Sequence, residues 1–123
     1  MQLGTIIKGK FPTYDSRGTA THYALVFRVE SDVGRLARIF AVVGTSQRVS
    51  RDGHTPTEFV LDQRDAAFVE SGLEKATKFD FNGLKFVVED WMDAKVVGKI
   101  TGRALTRRMV QAYAAHVTPQ RPR

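Results

Sequence analysis

The sequence contains no cysteine. Without thiols there is neither a disulfide framework nor a thiolate metal site. No apolar run approaches the roughly 20 residues of a membrane-spanning helix. The opening segment, MQLGTIIKGKFPTYD, lacks a long apolar stretch and a small-residue cleavage site. It does not read as a signal peptide, and a cytoplasmic setting is expected. Acidic residues are in deficit: 13 Asp and Glu against 19 Lys and Arg give a formal net charge of +6 and a pI near 10.0. A surface of that sign suits a polyanion, either nucleic acid or an acidic protein segment. At 42% hydrophobic and 26% charged residues, the chain is too apolar to remain disordered. Its 123 residues suffice for one domain with a modest core. A single domain over 1–117 is expected, followed by a disordered basic tail over 118–123, where Pro119 and Pro122 exclude a helix.

Metal and nucleotide motifs are also missing. His22, His54 and His116 have no ligand spacing, and no acidic cluster stands near His54. The stretch Gly44-Thr45-Ser46-Gln47 lacks the lysine and the spacing of a phosphate loop.

What is present is a succession of short β-forming runs. Strands are expected over 5–11 (stopped by Pro12), 22–29, 36–43, 58–61, 77–81 and 86–88. A long polar loop separates the first two. Residues 77–81 alternate strictly, so Phe79 and Phe81 share one face while Lys78 and Asp80 share the other. Asn82-Gly83 is a strong hairpin signal, but no clean strand pair straddles it, so it reads as a turn. Asp62 is a plausible helix cap, and Gly72 a left-handed stop, which predicts a small inserted helix between them. Leu105, Met109, Ala112 and His116 follow helical spacing, which predicts an amphipathic C-terminal helix over 101–116. The pattern describes a mainly β domain, a small barrel or strongly bent sheet, with Val26, Val42 and Phe59 buried and the terminal helix packed outside.

Three stretches in order resemble the MazF/PemK family of toxin endoribonucleases (CcdB/Kid type). These are His22-Tyr23-Ala24-Leu25-Val26, Ala41-Val42-Val43-Gly44-Thr45-Ser46-Gln47, and Glu58-Phe59-Val60-Leu61 followed by the expected inserted helix and Ala76-Thr77-Lys78-Phe79-Asp80. The resemblance spans about residues 3–116. It implies an SH3-like barrel and a homodimer that binds single-stranded RNA. It also implies an acidic antitoxin segment as partner, and metal-independent cleavage by 2′-hydroxyl attack with no cofactor.

By position, Thr45 matches the family's Thr, and His22 stands where the family carries Arg. Histidine can act as base or acid, but it loses the bidentate phosphate grip. Either the chemistry is rebuilt around His22 or the nuclease activity is gone. In the latter case the chain is a silent binder on the same barrel, such as a phage or plasmid accessory protein that inhibits a host protein or nucleic-acid machine. Lys78 and Asp80 fall where relatives carry charged catalytic residues, which makes Asp80 a third catalytic candidate and Lys78 an RNA contact; the alternative is a surface ion pair of little worth. Ser46 and Gln47 could donate to a phosphate, and Arg17 and Arg48 could add charge. Tyr14, in a polar loop, could stack on a base. Lys8, Lys10, Arg51 and Lys75 complete a basic surround.

Overall fold

The computed structural model describes residues 1–12, 21–31, 37–52 and 54–118. Seven strands form one antiparallel sheet: β1 (Thr5–Gly9), β2 (His22–Glu30), β3 (Arg38–Thr45), β4 (Glu58–Leu61), β5 (Thr77–Asp80), β6 (Lys85–Val87) and β7 (Lys95–Lys99). One helix, α1 (Arg103–Val117), follows. The strand order is β4-β5-β3-β2-β1-β7. Strand β3 has two partners on its second flank, β6 along residues 40–42 and β5 along 44–45. The turn at Asn82-Gly83 therefore joins two strands that both pair with β3 and not with each other, and the Gly83 N–H closes it on the Asp80 carbonyl. Register shifts between Val26 and Arg28 on β2 and between Ile6 and Ile7 on β1 bend the sheet. It curls into an antiparallel half-barrel.

Period-2 alternation sends apolar side chains to both faces of the central strands. Leu25, Val42, Phe59 and Phe79 join Leu105, Met109 and Ala112 of α1 in the larger core. Ala24, Val26 and Ala41 face the other way and pack with Ile7, Phe11 and Met92 in a smaller one. Val26, Val42 and Phe59 are fully buried, as expected, and α1 lies against the sheet by its expected stripe, with His116 only half-buried at its end.

Two expectations need correction. The inserted helix over 62–72 reduces to a series of turns ending in a 3-10 helix at Val69–Ser71. Asp62 does accept from the Arg64 N–H, and Asp65 from the Asp62 N–H, as helix caps do. The backbone beyond them closes only three-residue steps, Asp65 N–H on the Asp62 carbonyl, Phe68 on Asp65, Ser71 on Phe68 and Gly72 on Val69. Gly72 does end the segment in the left-handed region, at φ 73°. Strand β7 was not foreseen. Lys95-Val96-Val97-Gly98-Lys99 has no alternation and contains a glycine, yet it pairs along β1.

The 62–72 segment also bridges the open side of the sheet. It leaves β4 at one edge and meets β7 at the other. The contact is backbone on backbone: a Cβ on Gly98 would lie 2.2 Å from the Ser71 carbonyl carbon, and one on Gly72 would lie 2.2 Å from the Val97 carbonyl oxygen. Gly98→Ala is expected to lower stability by about 3 kcal/mol, since neither backbone can retreat without breaking the bridge. Urea unfolding checks this; an unchanged midpoint would show that the bridge is not needed.

Candidate nucleic-acid interface

His22 opens β2 and Thr45 closes β3, so the two stand at the same end of neighbouring strands. The β2–β3 ladder runs to the pair Ala24↔Val43, and the same register carried two residues further sets His22 opposite Thr45. On its outer side His22 pairs with Gly9, and Thr45 pairs with Lys78. His22, Thr45 and Lys78 thus fall in one row across β2, β3 and β5. Alternation places all three on the face away from the larger core, because Tyr23, Gly44 and Phe79, their chain neighbours, belong to the opposite face.

The three differ in freedom. The half-buried His22 side chain makes no hydrogen bond or ion pair among the described residues. The exposed Thr45 hydroxyl accepts from the Gln47 N–H at 3.1 Å, which shapes the turn and leaves its own proton to donate. Lys78 lies 3.5 Å from Glu58. Burial pushes the Glu58 carboxyl up, but hydrogen bonds from Thr55 and the nearby Lys78 outweigh it and hold the group below its usual range. Any phosphate at Lys78 therefore competes with an ionised carboxylate.

Asp80 stands two residues beyond Lys78 on the same face of β5, with its carboxylate engaged. Its carboxylate accepts from the Thr57 hydroxyl at 2.9 Å and from the Asn82 N–H at 3.0 Å, which makes it a turn-forming residue. Nor does it pair with Lys78, whose carboxylate partner is Glu58. Ser46, Gln47 and Arg48 are exposed in the turn after β3, with Arg48 at a left-handed φ of 54°. Tyr14 and Arg17 lie outside the described residues.

A cavity of about 240 Å³ adjoins the His22 end of the row. Gly9, the ladder partner of His22, and Thr21, its chain neighbour, both line it, together with Lys8, Lys10 and Lys95. Among the described residues, Asp93 is the one acidic residue in that lining. Sequence reasoning missed Lys95 along with β7. It also passed over Trp91, the only tryptophan, which is 56% exposed beside the cavity residue Met92. An aromatic ring among the acids Glu89, Asp90 and Asp93 was the available signal.

Several other basic residues are committed to ion pairs within the fold. Arg51 contacts both Asp62 and Asp65 at 2.9 Å. Arg64 holds Asp62 at 3.0 Å, and Arg108 holds Asp65 at 2.7 Å while donating to the Val60 carbonyl. Burial pushes Asp65 up, but the Asp62 N–H and the Arg108 and Arg51 guanidinium groups prevail and lower it below the usual aspartate range. For Asp62 the Arg64 side chain leads the same downward shift.

No protein-family model and no curated protein matches the sequence.

Two outcomes follow from these contacts. Because the Asp62 and Asp65 carboxyls are lowered by folding, their stabilisation is complete above a pH of about 5, begins to fall in the ordinary aspartate range, and is lost as the pH drops through their lowered folded values. Asp65→Asn should lower stability at neutral pH by about 3 kcal/mol and flatten the acid-side decline, measured by urea unfolding at pH 7 and pH 3. Asp80→Ala should cost about 1 kcal/mol of stability through the lost turn bonds. RNA cleavage, if assayed alongside, should stay within about threefold of wild type, since a group placed for proton transfer would cost far more.

Proposed function

We propose that this protein is a metal-independent endoribonuclease acting on single-stranded RNA. The observation that carries the reading is the row formed by His22, Thr45 and Lys78 on one face of the sheet, beside a lysine-lined cavity. The resemblance to the MazF/PemK toxins, with their SH3-like barrel, supports it, as does the net charge of +6.

Each side chain has a chemical part. The His22 imidazole accepts the 2′-hydroxyl proton. O2′ then attacks phosphorus, the P–O5′ bond breaks, and the departing O5′ takes a proton from water. The Thr45 hydroxyl donates to a non-bridging oxygen, and the Lys78 ammonium offsets the charge that develops there. Register sets Lys8 and Lys95 with Tyr23 on the opposite face, where the Lys8 ammonium lies over the Tyr23 ring, so Lys10 is the lysine left for the flanking backbone. An acidic antitoxin segment would compete with RNA for this basic face, and a homodimer is the working unit the resemblance implies.

A second reading, a binder that does not cut, gains from the position of Asp80. Its engagement in the turn leaves the site with no free carboxylate from β5.

Incubation of the purified protein with mixed-sequence RNA, with and without chelator, separates the two. Cleavage should persist in chelator and leave 2′,3′-cyclic phosphate and 5′-hydroxyl ends. His22→Ala and Thr45→Ala should each lower the rate by about tenfold or more. Binding without cutting in the wild type would establish the second reading, and wild-type rates in both variants would move the site elsewhere.

A further inference from the structure

A groove of about 330 Å³ lies far from His22, where the C-terminal end of α1 leaves the sheet. Phe27, Phe40 and Lys85 line it from the strands, and Tyr113 and His116 from the helix. The volume falls in the range of small-ligand pockets. Six steps along β2, at about 3.3 Å each, separate His22 from Arg28 on its rim, or about 20 Å.

We propose that this groove binds one nucleotide, with its base against the rings of Phe40 and Tyr113 and its phosphate at Lys85. The partner class rests on the nucleic-acid reading above but not on cleavage. Four features argue for this occupant.

The rings are half-buried, not sealed in the core, and they are held rigidly. Tyr113 packs 5.3 Å from Phe27 and edge-on to Phe81 at 5.5 Å. The Arg28 and Arg38 guanidinium groups lie over the Phe40 ring at 5.6 and 5.1 Å, and fixed aromatic rings flanked by cations are how bases are stacked.

The charge is complementary to a phosphate. Among the described residues, no acidic one lines the groove. Glu30, on the rim, already holds Arg28 and lies 3.7 Å from Arg38. Lys85 has no carboxylate partner among the described residues. Its ammonium donates to the carbonyls of Phe81 and Gly83, which fixes its position and leaves a third N–H for an anion.

Polar groups for a base edge are in place. The Tyr113 hydroxyl bonds to no other described residue. The His116 ring is oriented by Asn82, whose Oδ1 lies 2.6 Å from Nδ1, so Nε2 is the nitrogen left for a ligand.

Finally, the combination discriminates. A purely apolar ligand would leave Lys85 unmatched, and a simple anion would leave the rings unfilled.

The test is a two-dimensional NMR titration of the full chain with adenosine 5′-monophosphate and, in parallel, ribose 5-phosphate. The nucleotide should shift the amides of Val87, Tyr113 and His116 and bind about tenfold or more tightly than the sugar phosphate, the difference a stacked base supplies. Lys85→Ala should weaken it about fivefold or more. Tyr113→Leu keeps apolar volume against Phe27 and should weaken it about tenfold. His22→Ala should leave it unchanged. Equal response to both probes, or shifts scattered away from the groove, overturns the assignment. So does tighter occupancy of the same amides by an acidic leucine-rich peptide. A chain that binds the nucleotide here yet never cuts RNA keeps the groove and loses the nuclease reading; a chain that cuts RNA without this response does the reverse.

Discussion

Arg108 reaches from the middle of α1 to the Asp65 carboxylate and the Val60 carbonyl, and Arg51 reaches the same carboxylate from the loop before β4. Asp65 is almost wholly enclosed, so these guanidinium groups are what make an anion tolerable there. The consequence is architectural. Helix, loop, β4 and the 62–72 bridge are tied at one point, on the side of the sheet that hydrogen bonds leave open. Apolar contact from Leu105, Met109 and Ala112 supplies most of the adhesion between α1 and the sheet, but it is non-directional. The forked geometry of Arg108 sets the helix's rotation and height.

That arrangement also explains what could and could not be read in the sequence. Buried positions on long, periodic segments were legible: Val26, Val42, Phe59, and the stripe of α1 announce themselves by spacing. The 62–72 segment misled because Asp62, Asp65 and Gly72 are ordinary helix punctuation. The two aspartate carboxylates serve also as ligands for arginines 11 and 43 positions away, as the Arg51–Asp62 and Arg108–Asp65 bonds show. No local window contains that information. Strand β7 was illegible for a related reason. Its identity comes from β1, whose outer edge it covers, and from Gly98, whose missing side chain lets the bridge approach. For the candidate site, His22, Thr45 and Lys78 were nameable residue by residue, but their row depends on register. Asp80 looked equivalent to Lys78 by alternation and differs from it only through Thr57, a contact from another strand's lead-in.

Basicity in the composition is not the same as basicity on a surface. Arg51, Arg64 and Arg108 balance Asp62 and Asp65, and Arg28 and Arg38 share Glu30. The cations left without carboxylate partners among the described residues include Lys8, Lys10 and Lys95 at one end of the β2 strand and Lys85 at the other. Among the described residues, ion pairing thus leaves unpaired cations beside both cavities, and also elsewhere on the surface at Lys75, Lys99, Arg103 and Arg107.

The row of His22, Thr45 and Lys78 is coupled to the core through one small residue. Gly44 precedes Thr45 and pairs with Phe79, and Phe79 follows Lys78. A Cβ at Gly44 would lie 2.6 Å from the Phe79 ring and 2.9 Å from the Thr77 methyl. The absence of a side chain at position 44 is therefore what lets β5 approach β3 closely enough for Thr45 and Lys78 to stand side by side. Larger residues there would drive Phe79 outward and carry Lys78 with it along a rigid strand. The placement of Thr45 and Lys78 on the outer face thus depends on packing on the inner one, and β3 can serve both only because it changes partners, from β6 to β5, within its last few residues.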